Sequence, residues 1–323
     1  MHVLVCGGAG YVGSHACLAL ARAGHEVTVL DNLFAGHREA VRWGPLVEAD
    51  ILRPETLDAG FARRVDAVMH FCARSLVGES VTDPVAYYQN NVAGTLNLLE
   101  TMRRHGVDRL VFSSTAAVFG NPVSDVIDEE HPKDPINPYG ASKLMVERIL
   151  ADAAAAYGLR SVALRYFNAA GAAADEGIGE SHEPETHLIP NALKAAAGAG
   201  AGLKVFGNDY PTRDGTCVRD YVHVLDLADA HLRALDWMDR EPGAHRFNLG
   251  NGNGFSVLEV IEAARRVTGH DIPYEIAPRR AGDPPVLVAS SALAREKLGW
   301  TPKYDRIEPI IETAWAWHRA PAF

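Results

Sequence analysis

Residues His2–His15 read HVLVCGGAGYVGSH, and the fold turns on them. His2–Cys6 is an apolar run of strand length; glycines at 7, 8, 10 and 13 break it, and apolar residues then recur at helical spacing through Val12–Ala23. Strand, glycine-rich turn and helix in that order make a dinucleotide fingerprint, satisfied by Gly7, Gly10 and Gly13 and also by the frame Gly8-x-Gly10-x-x-Gly13. Glycine permits the tight turn, lets the backbone approach a pyrophosphate and lets the helix pack closely on the strand. The helix N-terminus then faces the phosphate charge. Glycine-rich turns are common, so the stretch needs support from elsewhere in the chain.

Asp31 supplies it. It ends a second apolar run, Glu26–Leu30, 18 positions beyond Gly13, where an acid accepts hydrogen bonds from an adenosine ribose diol. A carboxylate there repels a 2′-phosphate, and Arg38 lies too far along to reverse the balance, so the expected cofactor is NAD rather than NADP. The other reading of Asp31 is a cap on the next helix. Asp50 and Ile51, after a third strand, could meet the adenine edge, and Asp50 reads equally well as a turn acid.

Further along, Asp66–Phe71, Arg109–Ser113 and Ser161–Arg165 read as buried strands, with helices at Asn91–His105 and Ser142–Tyr157. Strands spaced by crossover helices predict an α/β fold, a doubly wound parallel Rossmann sheet. After Asn168 the texture turns to Gly, Ala, Glu and Pro, which predicts a smaller mixed α/β C-terminal domain for substrate. The expected division is 1–175 for the cofactor and 176–323 for a sugar nucleotide, with part of 216–248 returning to the first domain. Ala192–Gly202 reads as a helix ending in a flexible loop, and the acids of Asp125–Asp128 and Glu129-Glu130 as a solvated loop.

A length of 323 residues is ample for two cores. The formal charge of −10 gives no drive toward a polyphosphate backbone, so nucleic acid is not an expected partner. No apolar run is long enough to cross a bilayer, and the chain opens directly into a strand without a signal peptide, so the expected location is the cytoplasm. Cys6, Cys17, Cys72 and Cys217 lack CxxC or Cys/His ligand spacing, which suggests neither a disulfide framework nor a zinc site; no metal is expected.

The chemistry concentrates on Thr115, Tyr139 and Lys143. Tyr139 and Lys143 stand at i and i+4, on one helical face. A free phenol, with a pKa of roughly 10, is a poor base at neutral pH, and a neighbouring ammonium favours the phenolate. Thr115 follows the strand Arg109–Ser113, and the C-terminal ends of strands carry the ligand crevice in such sheets. Read alone, Tyr-x-x-x-Lys is also an accident of helix composition; its order after the glycine turn and Asp31 makes it a catalytic pair. His70, near a strand end, reads as a core histidine.

These residues, in this order, resemble the extended short-chain dehydrogenase/reductase family, most closely its UDP-sugar 4-epimerases. The likeness runs over essentially the whole chain, through Gly7–His15, Asp31–Leu33, Val77–Val81, Tyr87–Thr95, Ser113–Gly120, Pro138–Glu147, Tyr166–Asn168, Phe206–Val224 and Arg279–Asp283. The resemblance implies that Tyr139 removes the sugar O4 proton while hydride passes from C4 to tightly held NAD. The 4-keto sugar then swings over and is reduced from its other face, which interconverts UDP-glucose and UDP-galactose. It further implies cofactor contacts from Tyr11, Val12, Asn32, Leu33 and Gly36, then from Phe71, Cys72, Ala73, Ser75 and Asn90, and from Ser113 and Phe167. For the sugar nucleotide it implies Asn168, His187, Leu188 and Lys204, with Val205, Phe206, Arg219, Arg280, Asp283 and Leu287; the two arginines are natural diphosphate partners. A homodimer through helices like Val85–His105 and Pro138–Tyr157 is the family habit.

Two positions depart from relatives. Ser75 stands where some carry lysine, and Leu287 where some carry a tyrosine that limits the sugar pocket, so an N-acetylated sugar is a further expected substrate. A 4,6-dehydratase would need an Asp-Glu pair after the threonine, and Thr115 is followed by Ala116-Ala117. The remaining alternatives are a 4-epimerase of UDP-uronic acids or pentoses, a net reductase that exchanges its cofactor, and a silent NAD-sensing protein on the same scaffold.

Overall fold

The structure, a computed structural model, describes residues 1–199, 202–280 and 283–323. Seven parallel strands form its main sheet: β1 His2–Cys6, β2 Glu26–Asp31, β3 Leu46–Glu48, β4 Ala67–His70, β5 Arg109–Ser113, β6 Arg160–Tyr166 and β7 Ala244–Leu249. Their spatial order is β7-β6-β5-β4-β1-β2-β3. All five residues of β1 are buried, as befits a strand covered on both faces. Val3 and Val5 point into one apolar core, Leu4 and Cys6 into another.

Helices build those two cores. On the first face lie α1 Tyr11–Arg22 and α5 Val224–Arg240, through Cys17, Leu20, Leu227 and Leu235. On the second lie α2 Gly94–Arg104 and α3 Pro138–Tyr157, through Leu98, Met102, Val146 and Leu150. A third core unites α4 Leu188–Ala196, α6 Val257–Thr268 and α8 Ile307–Arg319 with the paired strands Leu203–Phe206 and Tyr274–Ala277. Helix α7 is Ala292–Leu298. Strand β7 enters the main sheet from the second half of the chain, with Ala244 opposite Ser161. Among the described residues no helix is long and apolar enough to cross a membrane.

Three local readings change. The stretch read as one helix over Asn91–His105 opens as a π-helical segment, Tyr88–Ala93, before α2 begins at Gly94. The wider turn lets Asn91 donate from its amide to Arg74 O and Ser142 Oγ, each at 3.0 Å, and accept from Arg74 N at 2.9 Å. Helix α3 starts at Pro138 rather than Ser142, because the Asn137 side chain caps it by accepting from Gly140 N at 2.8 Å and proline is preset for the first turn.

The acids at 125–130 are not a wholly solvated loop. Val126–Ile127 pairs in parallel with Val286–Ala289, and Glu129 Oε1 accepts from Asn248 N at 2.7 Å. A two-residue strand held by a partner 162 positions away, Val288 opposite Val126, has no local periodicity to betray it. The stretch Ala192–Gly202 is helical to Ala196; Gly200 and Ala201 lie outside the described residues, as do Ala281 and Gly282 of the Arg279–Asp283 passage.

Candidate active site

The glycine turn closes onto the start of the next strand loop. Gly7 has φ +84°, and a Cβ there would sit 2.8 Å from Cys72 N, while one at Gly13 would sit 2.1 Å from Gly7 O. Only glycine leaves the backbone this close-set. Helix α1 follows with no side-chain cap at Gly10, so the N–H groups around Tyr11 and Val12 face the crevice uncovered by any side chain of their own. Tyr11 itself turns away, its hydroxyl donating to Gly171 O at 2.6 Å.

Asp31 is buried at the end of β2, its carboxylate accepting from Ala9 N at 3.0 Å and Leu33 N at 2.9 Å. Burial pushes its carboxyl upward, and those backbone donors work against the rise. It caps no helix; the next turn, Arg38–Ala40, has His37 at its cap. Arg38 pairs instead with Glu48 at 2.7 Å, leaving Asp31 without a cationic neighbour from that side. Leu33 takes a positive φ of 58°, and Gly36 lies against Ala9, so the segment after β2 folds back over the glycine turn. Asp50 is a turn acid, accepting from Leu52 N, and it also holds the Asn32 amide at 3.1 Å; Ile51 is buried beneath.

Across the crevice run Phe71, Cys72, Ala73 and Ser75 after β4, with Phe71 N bonded to Cys6 O at 2.7 Å. Asn90 donates to Asn91 from the π-helical segment. Ser113 ends β5, hydrogen-bonded through its hydroxyl to Tyr166, and Phe167 packs with Val118, Phe119 and Leu287. The cradle, the buried acid at the end of β2 and the open helix terminus fit a dinucleotide.

The chemical groups stand at the C-terminal end of β5. Lys143 Nζ donates to Ser113 O at 2.7 Å, lies 4.8 Å from the Phe112 ring centroid and 6.0 Å from that of Tyr139. Thr115 Oγ1 accepts from Ala117 N at 3.1 Å. Burial pushes the Tyr139 phenol up, and a hydrogen bond with the Thr115 hydroxyl partly offsets it. Burial likewise brings Lys143 down to about 7. Desolvation therefore outweighs the mutual help expected of the pair, because both groups lie in the same low-dielectric pocket.

That depression has a measurable sign. Between about 7 and the ordinary 10.5 of lysine, the unfolded chain binds a proton at residue 143 that the folded chain does not, so stability rises with pH across this window. In NAD-free protein, Lys143→Met is expected to be more stable than wild type at pH 7, with an advantage in urea midpoint that shrinks by pH 9.5. An advantage independent of pH would contradict a desolvated lysine.

The residues expected to hold the sugar nucleotide are only partly gathered. Asn168 donates from its amide to Asp220 O at 2.7 Å. Arg219 pairs with Asp283 at 2.5 Å, and the Arg280 guanidinium sits 3.9 Å from the Phe206 ring centroid. Arg280 and Asp283 border a cavity of about 560 Å³. Strand alternation splits Lys204 from Val205: Lys204 is exposed, whereas the Val205 side chain is buried in the third core and can reach a ligand only through its backbone. Leu188 opens α4, and His187 precedes it with Nδ1 at 2.8 Å from Glu180 and 2.9 Å from Glu185.

Two groupings escaped the sequence reading. Glu147 continues the Tyr139–Lys143 face at i+8, and accepts from Ser114 Oγ at 2.6 Å and from Arg165 Nη2 at 2.6 Å, all buried. Its spacing was a signal; its partner on β6 was not. The four side chains Glu180, His182, Glu185 and His187 converge within 4.8 Å of one another, a possible ligand set that a search for Cys/His spacing passes over.

Known proteins resemble the chain along nearly its whole length. A family profile, NAD dependent epimerase/dehydratase family, matches residues 3–250. A UDP-glucose 4-epimerase of Lacticaseibacillus casei is 52% identical over 320 residues, covering 98% of this chain and 97% of its own. The UDP-glucose 4-epimerase of Brucella ovis in complex with NAD superposes with a TM-score of 0.93 at 50% identity, covering 97% of each chain. A UDP-Glc/GlcNAc 4-epimerase of Campylobacter jejuni does so at 0.86 and 44%, covering 98% of this chain and 99% of that one. The chain belongs to the NAD dependent epimerase/dehydratase family, among its UDP-glucose 4-epimerases, and its cofactor is NAD.

Proposed function

We propose that the protein interconverts UDP-glucose and UDP-galactose by inverting C4 of the hexose through a 4-keto sugar nucleotide. The observation that carries the reading is the convergence of Thr115, Tyr139 and Lys143 at the end of β5, beside the glycine turn. NAD held there would supply the hydride acceptor and donor for C4 and, while oxidised, a positive charge beside the phenol. Tyr139 accepts the O4 proton and later gives it back. Thr115 holds O4 by its hydroxyl, and Lys143, anchored on Ser113 O, keeps a positive charge on the Tyr139 side of the pocket.

Affinity belongs in groups remote from C4, so that the hexose can turn while the nucleotide stays. Asn168, Phe206, Arg219, Arg280 and Asp283 are assigned to that nucleotide end, with the arginines as diphosphate partners. Residues 1–175 are assigned to NAD and 176–323 to the sugar nucleotide, with 216–248 contributing α5 and β7 to the first part. Exposed Val85, Leu96, Met145 and Tyr157 lie on the helices assigned to a homodimer interface. The cytoplasm is the assigned location.

The test is conversion of UDP-galactose to UDP-glucose by purified protein without added NAD, read by coupled detection. Reduction of added NAD in step with accumulation of a keto sugar nucleotide, and no UDP-glucose, would replace the epimerase by a net oxidoreductase. Leu287 favours a wider acyl pocket than a tyrosine would leave, and the Campylobacter jejuni neighbour is named for both sugar classes. UDP-GlcNAc is therefore expected to be turned over too, and Leu287→Tyr to cut that turnover at least roughly tenfold while sparing UDP-galactose, since a steric pocket discriminates by about 1–3 kcal/mol. Absence of any UDP-GlcNAc product from wild type would refute the second activity.

A further inference from the structure

We propose that Glu180, His182, Glu185 and His187 form a binding site for one divalent transition-metal ion of the zinc type. The segment carrying them, just before α4, is packed between α1 and α8. Trp317 Nε1 donates to Glu180 O at 2.8 Å, His37 bonds Ser181 O at 3.2 Å, and the Tyr11 ring meets His182 edge-on at 6.2 Å. These contacts fix the backbone on which the four side chains stand.

The donor atoms are already close to one another. His182 Nδ1 is 3.1 Å from Glu180 Oε1 and 3.9 Å from Glu185 Oε2, and His187 Nδ1 is 2.8 Å from Glu180 Oε1 and 2.9 Å from Glu185 Oε1. Zinc bonds nitrogen and carboxylate oxygen at about 2.0–2.1 Å, so a tetrahedral site has donor–donor edges of about 3.3 Å. The observed separations bracket that edge, and small rotamer shifts bring four donors onto one centre. Two imidazoles with two carboxylates is a donor set for zinc-type ions rather than for magnesium, which demands six oxygens.

Charge favours the same conclusion. The carboxylates of Glu180 and Glu185 have side chains only 6% and 3% exposed, so their joint charge of about −2 needs a counter-charge inside the protein. In the ion-free chain a protonated His187, which burial pushes down but the two carboxylates push up to about 10, supplies part of it; one divalent ion with neutral imidazoles supplies all of it. Glu185 is also preset, because Oε1 accepts from Thr186 N at 2.7 Å and His187 N at 2.8 Å. An ion there fastens the segment 180–187, and with it the start of α4 where Leu188 stands.

Chelator-treated holoprotein, its NAD retained, would be titrated with Zn²⁺ against a chromophoric chelator, with Mg²⁺ in excess as comparison. The expected result is one Zn²⁺ per chain, no displacement by Mg²⁺, a rise in Tm on loading, and an affinity lowered by roughly 100-fold or more in His182→Ala, since one of four ligands is gone. Glu185→Gln keeps the backbone-capping carbonyl oxygen and is expected to lose affinity in the same way if His182→Ala does not fold. Wild type that takes up no Zn²⁺, or variants that bind it as wild type does, would overturn the site. The readout is metal stoichiometry, so a chain that failed to epimerise UDP-galactose would leave this result standing, and the reverse.

Discussion

Tyr139→Phe is expected to lower kcat by about 10³-fold or more, the upper range for a positioned acid–base group, with little change in the KM for UDP-galactose. The substitution deletes one oxygen and keeps the ring that packs within the site. Thr115 remains tied to Ala117 N and Lys143 to Ser113 O, so the pocket keeps its shape. NAD should still copurify, because the glycine turn and Asp31 are untouched. A loss in kcat below about tenfold would move the proton transfer to another group, since a role of this kind is worth at least 10². A loss accompanied by vanished NAD would instead make Tyr139 a cofactor anchor.

The second large effect concerns folding. Glu147 and Arg165 are 2% and 1% exposed, joined at 2.6 and 2.9 Å, and Ser114 Oγ also donates to Glu147. Glu147→Ala leaves a guanidinium buried without its carboxylate, which costs about 3–5 kcal/mol in such pairs. Arg246, at 3.3 Å from the same carboxylate and partly exposed, adds a second unpaired cation. Arg165→Met in the Glu147→Leu background is expected to restore most of the lost stability, because a well-packed apolar pair avoids the desolvation of two charges. Urea denaturation of the three proteins would decide it; a single variant as stable as wild type would mean that Arg165 finds another anion. Glu147 holds Ser114, the chain neighbour of Thr115, so the stable apolar double variant should also reveal whether the pair's charge matters to turnover.

The cofactor half of the site was legible because its signals are local. A strand, a glycine turn and a helix fall between His2 and Arg22, and Asp31 ends the very next strand, so pattern and spacing carry the physics without reference to distant contacts. Tyr139 and Lys143 were legible for the same reason, since one helical turn sets their common face. The second half of the chain was legible mainly by likeness to a family, because apart from β7 its strands run only two to four residues, too short for a period.

By itself, then, the sequence determined a parallel α/β sheet, a glycine turn shaped for a dinucleotide with an acid ending the next strand, and a Tyr/Lys/Thr grouping at one strand end. Tertiary structure alone decided that β7 joins the main sheet from residues 244–249, that Val126–Ile127 pairs with Val286–Ala289, and that Arg219 faces Asp283. It also decided that Lys143 falls to about 7 and that Glu180, His182, Glu185 and His187 meet. The reason is range: turns and helical faces are set by neighbours a few residues away, whereas strand pairing, desolvation and side-chain convergence depend on which distant segments exclude water from the same place.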